Sequence, residues 1–502
     1  MPRPLKKVLV ANRSEIAVRV IRGLRESGVE SVAVFSDADR DALHVRFASE
    51  AYNIGPPPSN RSYLDQDRLL EVARRSGADA VHPGYGFLSE NAGFARRVEE
   101  AGLVFIGPRP DSISAMGDKL QARAAARDAG TPIIPGSDGP VADLNEAVRE
   151  AATIGYPVML KAAAGGGGKG MRVVRDENEL ESAFDLTRGE AKSSFGDGRV
   201  YLERFIERPR HVEIQVFGDE HGNLVHLGER ECSLQRRHQK VIEEAPSVAV
   251  DAALRKRMGE AALRVARAVE YRGAGTVEFI LGANGEFYFL EMNTRLQVEH
   301  PVTELVYGVD LVQEQIRVAS GEPLSWSQEE LTPKGWAIEC RIYAEDPFNR
   351  FLPSLGTITR FRLASGPGIR NDVGVFQGFE VSRYYDPMLG KLVAHGSDRE
   401  MARRRVSRAL REMMVEGIRT NIAYHRWLVN SPEFIHGNID TGLLERGFQG
   451  VPPPARPDRE EAAIVAAVIA THEAEQRLRP TRSAESGMNP WRLMGRPGGP
   501  DR

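Results

Sequence analysis

The chain has 502 residues, of which 41% are hydrophobic and 27% charged, with a formal net charge of -3. That is ordinary globular composition with room for three or more domains, and it gives no reason to expect a nucleic-acid or membrane-surface partner. Two cysteines, Cys232 and Cys340, are too few for a disulfide framework and lack zinc spacing, and no apolar run approaches the roughly 20 residues of a membrane span. A cytoplasmic location is the expectation, since the apolar run Val8–Ala11 is too short for a signal sequence.

In chain order, Lys6–Ala11 reads as a buried parallel strand. Ser14–Ser27 follows as an amphipathic helix, with Ser14 as N-cap and Gly28 as its stop. Ser31–Phe35 completes a βαβ start, so an α/β domain is expected. Strand Ala78–His82 leads into the loop Pro83–Phe87, at a strand's carboxyl end where such sheets place ligands. Strand Val104–Gly107 closes this region near residue 115, and no GxGxxG marks a dinucleotide site. A helical piece over Asp118–Ala129 and a Gly/Pro-rich stretch over Gly130–Pro140 come next. Strands are expected at Tyr156–Lys161, Met171–Val174, 200–206 and 211–217. A mixed region over 335–446 opens with strand Gly335–Tyr343 and contains a helix near Arg399–Glu416. Gly450–Pro457 is a Pro-rich linker, Glu460–Arg477 an Ala-rich helix, and the last ~20 residues have a disordered composition. There is no internal repeat.

Between the strands at 156–161 and 171–174 lies Ala164–Met171, with four consecutive glycines. Glycines let backbone N–H groups turn toward a phosphate, and Lys161 and Lys169 add charge. GxxxxGK[ST] is absent, so this is no P-loop, and a flexible hairpin loop would fit the glycines alone. Segment Glu229–Lys240 (ERECSLQRRHQK) is dense in charge, which taken alone describes a solvated surface.

The sharpest signal is Glu291–Glu299 (EMNTRLQVE). Its odd positions are Glu, Asn, Arg, Gln and Glu, so an extended chain would place them all on one face. Strands at 275–281 and 286–292 flank Gly282-Ala283-Asn284-Gly285, and Asn-Gly is a strong hairpin signal. A two-residue turn at Asn284-Gly285 pairs Ala283 with Glu286 and, further out, Glu278 with Glu291. Their Cβ atoms would lie roughly 5 Å apart. Opposed carboxylates repel unless a cation lies between them. With Asn293 one step along, an oxygen-only set suits Mg²⁺ or Mn²⁺ rather than zinc. Two glutamates splayed into water are the plain alternative. Arg295 and Lys240 could hold a small anion with Glu299 as a nearby base, although Arg295 could instead simply pair with Glu299.

These residues resemble biotin carboxylase, the ATP-grasp component of biotin-dependent carboxylases. The resemblance is carried by Val8–Ala17 (VLVANRSEIA), His82–Asn91 (HPGYGFLSEN), Met116–Lys119, Lys161 with the glycine loop, Glu229–Ala245 and Glu291–Leu305, and it covers roughly residues 5–446. It implies a mixed α/β and α+β chain with an ATP-grasp fold. A Rossmann-like N-terminal domain would occupy 1–115, the ATP-grasp domain 116–330 with a mobile lid near 134–206, and a C-terminal domain 331–447. The linker and tail would occupy 448–502.

The resemblance also implies roles. Lys119, Lys161, Gly167, Gly168, Glu203, Arg204, Phe205, Ile206, His211, Gln235 and His238 would contact ATP. Glu278, Glu291 and Asn293 would hold two Mg²⁺ or Mn²⁺ ions. Lys240, Arg295 and the Val298 backbone would bind bicarbonate, Glu299 would deprotonate it, and Arg341 would stabilise a biotin enolate. The implied enzyme is an ATP-dependent ligase forming a C–N bond, most readily in an acetyl-CoA or propionyl-CoA carboxylase. A two-subunit pyruvate carboxylase is the alternative. Another ATP-grasp carboxylate–amine ligase is a further alternative, against which the cluster of Lys240, Arg295, Val298, Glu299 and Arg341 argues, and a non-catalytic scaffold ranks last because every expected catalytic residue is present.

Three positions depart from the family pattern: Ser14 stands where glycine is usual, Ala164 replaces the first of five glycines, and Lys169 stands where arginine is common. Ser14 fits if it is helical. No Met-Lys-Met acceptor occurs in the chain, so biotin is expected on a separate carrier protein, with a carboxyltransferase on another chain and a homodimer as the family arrangement. Helix Glu460–Arg477 is expected to dock a partner protein.

Overall fold

The computed structural model describes residues 4–163, 170–447 and 457–478. The β-branched runs near the N-terminus form a parallel sheet of β1 (Lys7–Val10), β2 (Glu30–Phe35), β3 (Glu50–Asn53), β4 (Ala80–His82) and β5 (Val104–Phe105), in the order β3-β2-β1-β4-β5. Helices such as Ser14–Glu26 and Gln66–Ser76 cover its two faces, which is why β1 and β2 are apolar on both sides. The loop Pro83–Phe87 leaves the carboxyl end of β4, as expected of a ligand-bearing loop in such a sheet.

A three-stranded antiparallel sheet follows: β6 (Val158–Ala162), β7 (Met171–Val174) and β8 (Val200–Arg204), in the order β7-β6-β8. The glycine loop between β6 and β7, with Ala164, Gly167, Gly168 and Lys169, lies outside the described residues, as do 448–456 and 479–502. The centre is an antiparallel sheet of eight strands. It contains β9 (Arg210–Gly218), β10 (Leu224–Arg236), β11 (Gln239–Ala245), β12 (Gly273–Leu281), β13 (Phe287–Asn293) and β14 (Trp336–Tyr343). Strands Met388–Gly396 and Ile369–Val373 extend it beyond β14, giving the order β13-β12-β9-β10-β11-β14 and then these two. The β11–β14 ladder therefore carries one continuous sheet across residue 330.

Four expectations are corrected. Ser14 is not the N-cap: Arg13 holds that position, and Ser14 itself has φ 58°, a left-handed conformation that costs an L-residue about 1 kcal/mol. Glycine at this position would be free of that cost. The helix at 399 stops at Glu412, and Met414–Glu416 is a short strand paired with Arg360–Arg362. The charged segment 229–240 is not a solvated surface. Its first seven residues lie in the buried central strand β10, and Arg230 is completely enclosed. The turn before β13 is not of the two-residue type, as described with the site below.

Helix Pro457–Leu478 belongs to a separate unit and carries exposed Ile464, Val465, Val468 and Ile469. Among the described residues no helix is long and apolar enough to cross a membrane.

Among the described residues His44, His82, His300 and His425 are enclosed without a compensating anion strong enough to keep them charged. Burial pushes His44, His82 and His425 each down to about 4. In the unfolded chain they titrate near 6.5, so between pH 6.5 and 4 the native state binds fewer protons and loses stability as pH falls. Glu15 and Glu243, each pushed up to about 7 by burial, oppose this, because their contribution is lost as pH rises. His425→Gln keeps a donor for the Arg341 carbonyl, which His425 meets at 2.7 Å. Unfolding free energy measured from pH 6.5 to 5 should therefore fall less steeply in this variant, by up to one proton, or about 1.4 kcal/mol per pH unit. An unchanged slope would refute the assignment.

Candidate active site

The site begins with the hairpin of β12 and β13. Val277, Phe279 and Leu281 point into the core beneath the helix Ala252–Ala268, while Glu278 and Ile280 face a large cavity. Glu278 lies directly opposite Glu291, and Thr276 opposite Asn293. The route to that register differs from the expected one. Leu281 pairs with Phe287 and the Gly282 amide bonds to Glu286, leaving a three-residue loop in which only Gly285 has positive φ. This loop alone would put Glu291 on the core face with Phe287 and Phe289. A bulge between Glu278 and Phe279 on one side, with Leu290 as the extra residue, restores the phase and turns both Leu290 and Glu291 to the cavity.

Strand β13 ends at Asn293, so the alternation expected through Glu299 stops there. Residues 294–299 leave the sheet and curl under it, and Glu299 becomes the N-cap residue of the helix His300–Tyr307. The curl buries Glu299 fully, where its two oxygens meet Lys240 Nζ at 2.6 Å and Arg341 Nη2 at 3.0 Å. Arg295 does not pair with Glu299. Its Nε donates to Glu90 at 2.7 Å, and Nη2 and Nη1 donate to Asn293 and Gln297 at 3.0 and 2.8 Å.

Lys240 is held by three carboxylates: Glu213 and Glu299 at 2.6 Å and Glu278 at 3.1 Å. Arg341 also donates to Glu243 at 2.5 Å. Burial alone would raise Glu299, but Lys240, Arg341 and Arg230 outweigh it and hold this carboxyl well below the usual range. Glu278 is treated the same way, lowered against burial by Lys240 and His211. His211 lies 2.9 Å from Glu278, an approach of charge rather than an aligned hydrogen bond, and this neighbour raises it against burial. Glu291 goes the other way: burial first, then the Glu278 charge, raise it. It has no hydrogen-bond or ion-pair partner among the described residues. A half-buried, unpartnered carboxylate facing another is a pair that a hard divalent cation fits; Asn293 beside them donates Nδ2 to Glu278 at 2.9 Å and accepts from Arg295, so its oxygen would join the set only with the amide turned over.

The cavity is about 790 Å³ and is lined by Lys119, Lys161, Arg204, Phe205, Ile206, His211, Gln235, His238, Lys240, Glu278, Glu291, Asn293, Arg295, Val298 and Arg341. Two predicted residues stand behind its wall: Glu299, and Glu203, which pairs with Lys161. His238 sits with Arg237 at the β10–β11 turn, both in the left-handed region. Gln235 meets His211 Nδ1 at 2.8 Å, aligning the ring whose other nitrogen faces Glu278. A second cavity of about 450 Å³ shares Tyr85, Gly86, Gln239, Val298 and Arg341 with the first.

Sequence reasoning missed Glu213, Glu243, Glu90 and Arg230. Glu213 left a signal: His211, Glu213 and Gln215 are a period-2 polar row alternating with the apolar Val212, Ile214 and Val216 of β9. Arg230 crosses to that row at 2.5 Å from Glu213 and 2.6 Å from Gln215.

A sheet-borne carboxylate pair beside buried lysine and arginine, with Lys161 of the small antiparallel sheet lining the same cavity, defines an ATP-grasp enzyme. Comparison with known proteins narrows this. Residues 4–113 match the family "Biotin carboxylase, N-terminal domain", 118–327 match "Carbamoyl-phosphate synthase L chain, ATP binding domain", and 339–446 match "Biotin carboxylase C-terminal domain". The chain is 52% identical to Biotin carboxylase 1 of Bacillus subtilis, over 88% of this chain and 98% of that one. It is 50% identical to the propionyl-CoA carboxylase alpha chain of Ruegeria pomeroyi (92% and 71%) and 52% identical to a pyruvate carboxylase subunit of Methanothermobacter thermautotrophicus (89% and 90%).

Among solved structures, biotin carboxylase from Campylobacter jejuni superposes with TM-score 0.85 at 46% identity, covering 88% of this chain and 99% of that one. The biotin carboxylase domain dimer of Hydrogenobacter thermophilus 2-oxoglutarate carboxylase, solved with MgADP, ADP and bicarbonate, gives TM-score 0.85 at 45% identity, with 90% and 100% coverage. The chain belongs to the biotin carboxylase family and is an ATP-dependent ligase.

Proposed function

We propose that this chain carboxylates biotin on a separate carrier protein, using ATP and bicarbonate through carboxyphosphate. The observation that carries this reading is the placement of Glu299. It is enclosed between Lys240 and Arg341, behind the wall where the two cavities meet.

Lys119, Lys161, Glu203, Arg204, Phe205, Ile206, His211, Gln235 and His238, with Gly167 and Gly168 of the loop, would hold ATP in the large cavity. Glu278, Glu291 and Asn293 would hold two Mg²⁺ or Mn²⁺ ions, which offset phosphate charge when bound. Bicarbonate would lie on Lys240, Arg295 and the Val298 backbone. As the anion takes up part of the positive charge now spent on Glu299, that carboxylate becomes a stronger base. It then removes the bicarbonate proton as the oxygen attacks the γ-phosphorus, the bond to ADP breaks, and carboxyphosphate forms. Carboxyphosphate splits to CO₂ and phosphate. Phosphate takes the N1 proton of biotin, and the nitrogen attacks CO₂ while Arg341 and Arg295 face the developing enolate oxygen.

In this reading the carrier and carboxyltransferase are other cytoplasmic chains, and the protein works as a homodimer. The acyl acceptor is acetyl-CoA or propionyl-CoA, and the Ruegeria relative's name supports the second of these. The Methanothermobacter relative's name supports pyruvate as the second reading.

With ATP and Mg²⁺, the purified chain should release ADP only when bicarbonate is present, and free biotin should accelerate release. ADP release that ignores bicarbonate but needs a carboxylate and an amine would instead identify a carboxylate–amine ligase.

A further inference from the structure

Segment 294–299 carries the base, yet it has left the sheet and its ladder hydrogen bonds. The Val298 carbonyl, next to Glu299, accepts from Lys391 Nζ at 2.7 Å. Lys391 lines neither cavity and has no exposed surface. Its strand, Met388–Gly396, pairs with β14 so that Lys391 lies directly across from Arg341, and with Ile369–Val373 so that it lies across from Asp372.

On its other side Lys391 lies 3.4 Å from Glu15, and the second Glu15 oxygen accepts from the Tyr85 hydroxyl. Tyr85 lines both cavities. One enclosed ammonium thus joins three chain segments that build the site: the base loop, the first helix, and the loop after β4. Behind it on the same sheet is Glu339, whose two oxygens have no hydrogen-bond partner among the described residues. Desolvating a lysine is costly, and a hydrocarbon of similar size would avoid that cost. The contacts show what the charge achieves here instead.

We propose that Lys391 is a positioning residue: it holds the Val298 carbonyl, and through Glu15 also Tyr85, so that Glu299 and the wall between the cavities are set in one arrangement. This rests on the role proposed for Glu299. It implies that losing Lys391 separates ATP consumption from biotin carboxylation, because the base and the second cavity no longer align.

The test is the double variant Lys391→Met/Glu15→Gln, which leaves no buried charge unpaired between the two and keeps an acceptor for Tyr85. ATP KM should stay within about twofold of the unmodified chain. Bicarbonate KM should rise about tenfold, and ADP released per carboxybiotin should rise several-fold. Lys391→Arg, which retains a donor for Val298, should recover part of both. An unchanged bicarbonate KM and unchanged coupling ratio in a folded double variant would overturn the proposal. So would a proportional loss of every parameter, ATP KM included. If the double variant does not fold, Lys391→Arg decides alone, since its differently placed donors must shift the coupling ratio for the proposal to stand. Failure of the unmodified chain to make carboxybiotin would instead refute the proposed reaction.

Discussion

Glu299→Gln lowers the rate of biotin carboxylation about 10³-fold while leaving ATP KM within about threefold. The magnitude follows from the contribution of a positioned general base, 10² to 10⁴. Glutamine is nearly isosteric and can still accept from Lys240, so the enclosed pocket keeps its shape. What disappears is the carboxylate that Lys240 and Arg341 now keep ionised. Those cations do not become orphans, since Lys240 retains Glu213 and Glu278, and Arg341 retains Glu243. The fold should therefore survive, and thermal unfolding should confirm that the loss is chemical. Steady-state assays of bicarbonate-dependent ADP release and carboxybiotin formation measure the effect. Full turnover by the variant would remove Glu299 as the base.

Glu291→Gln should lower Mg²⁺-dependent turnover by at least about 10²-fold and yet not destabilise the free protein. The two halves have one cause. In the metal-free chain, burial and the facing Glu278 disfavour the Glu291 charge, so its removal relieves repulsion. Once a divalent cation is present the same charge becomes the ligand. Thermal unfolding separates these states without an activity assay. Added Mg²⁺ should raise the melting temperature of the unmodified chain through preferential binding to the native state, and should raise that of the variant far less. An equal shift in both proteins, or undiminished turnover, would sink the metal assignment.

The two predictions rest on features that the sequence disclosed unequally. Glu278 facing Glu291 was legible from hairpin chemistry, but two departures had to cancel. Asn284-Gly285 is part of a three-residue loop, which shifts pairing by one, and the bulge at Leu290 shifts it back. A phase break was visible, since Phe287 and Phe289 share the parity of Glu291 but are apolar. Its meaning was not, because a bulge is chosen by packing on both faces and not by local propensity. The burial of Glu229–Gln235 was also hidden. Charge density reads as surface unless partners are known, and Arg230 meets Glu213 and Gln215 only across strands, as Glu229 meets Arg255 only where a helix packs on the sheet.

By itself the sequence determined the βαβ start, the strand pair that opposes two glutamates, the glycine loop beside Lys161 and, through its joint motifs, the family. These rest on short-range chemistry, period-2 patterning and turn residues, which a chain carries locally. Only the tertiary structure decided that Arg295 pairs with Glu90, that Glu299 curls into a pocket between Lys240 and Arg341, and that Lys391 reaches the carbonyl before it. The reason is physical. The cost of enclosing a charge depends on which distant charge meets it, and that meeting is made by the sheet order, not by neighbours in the chain.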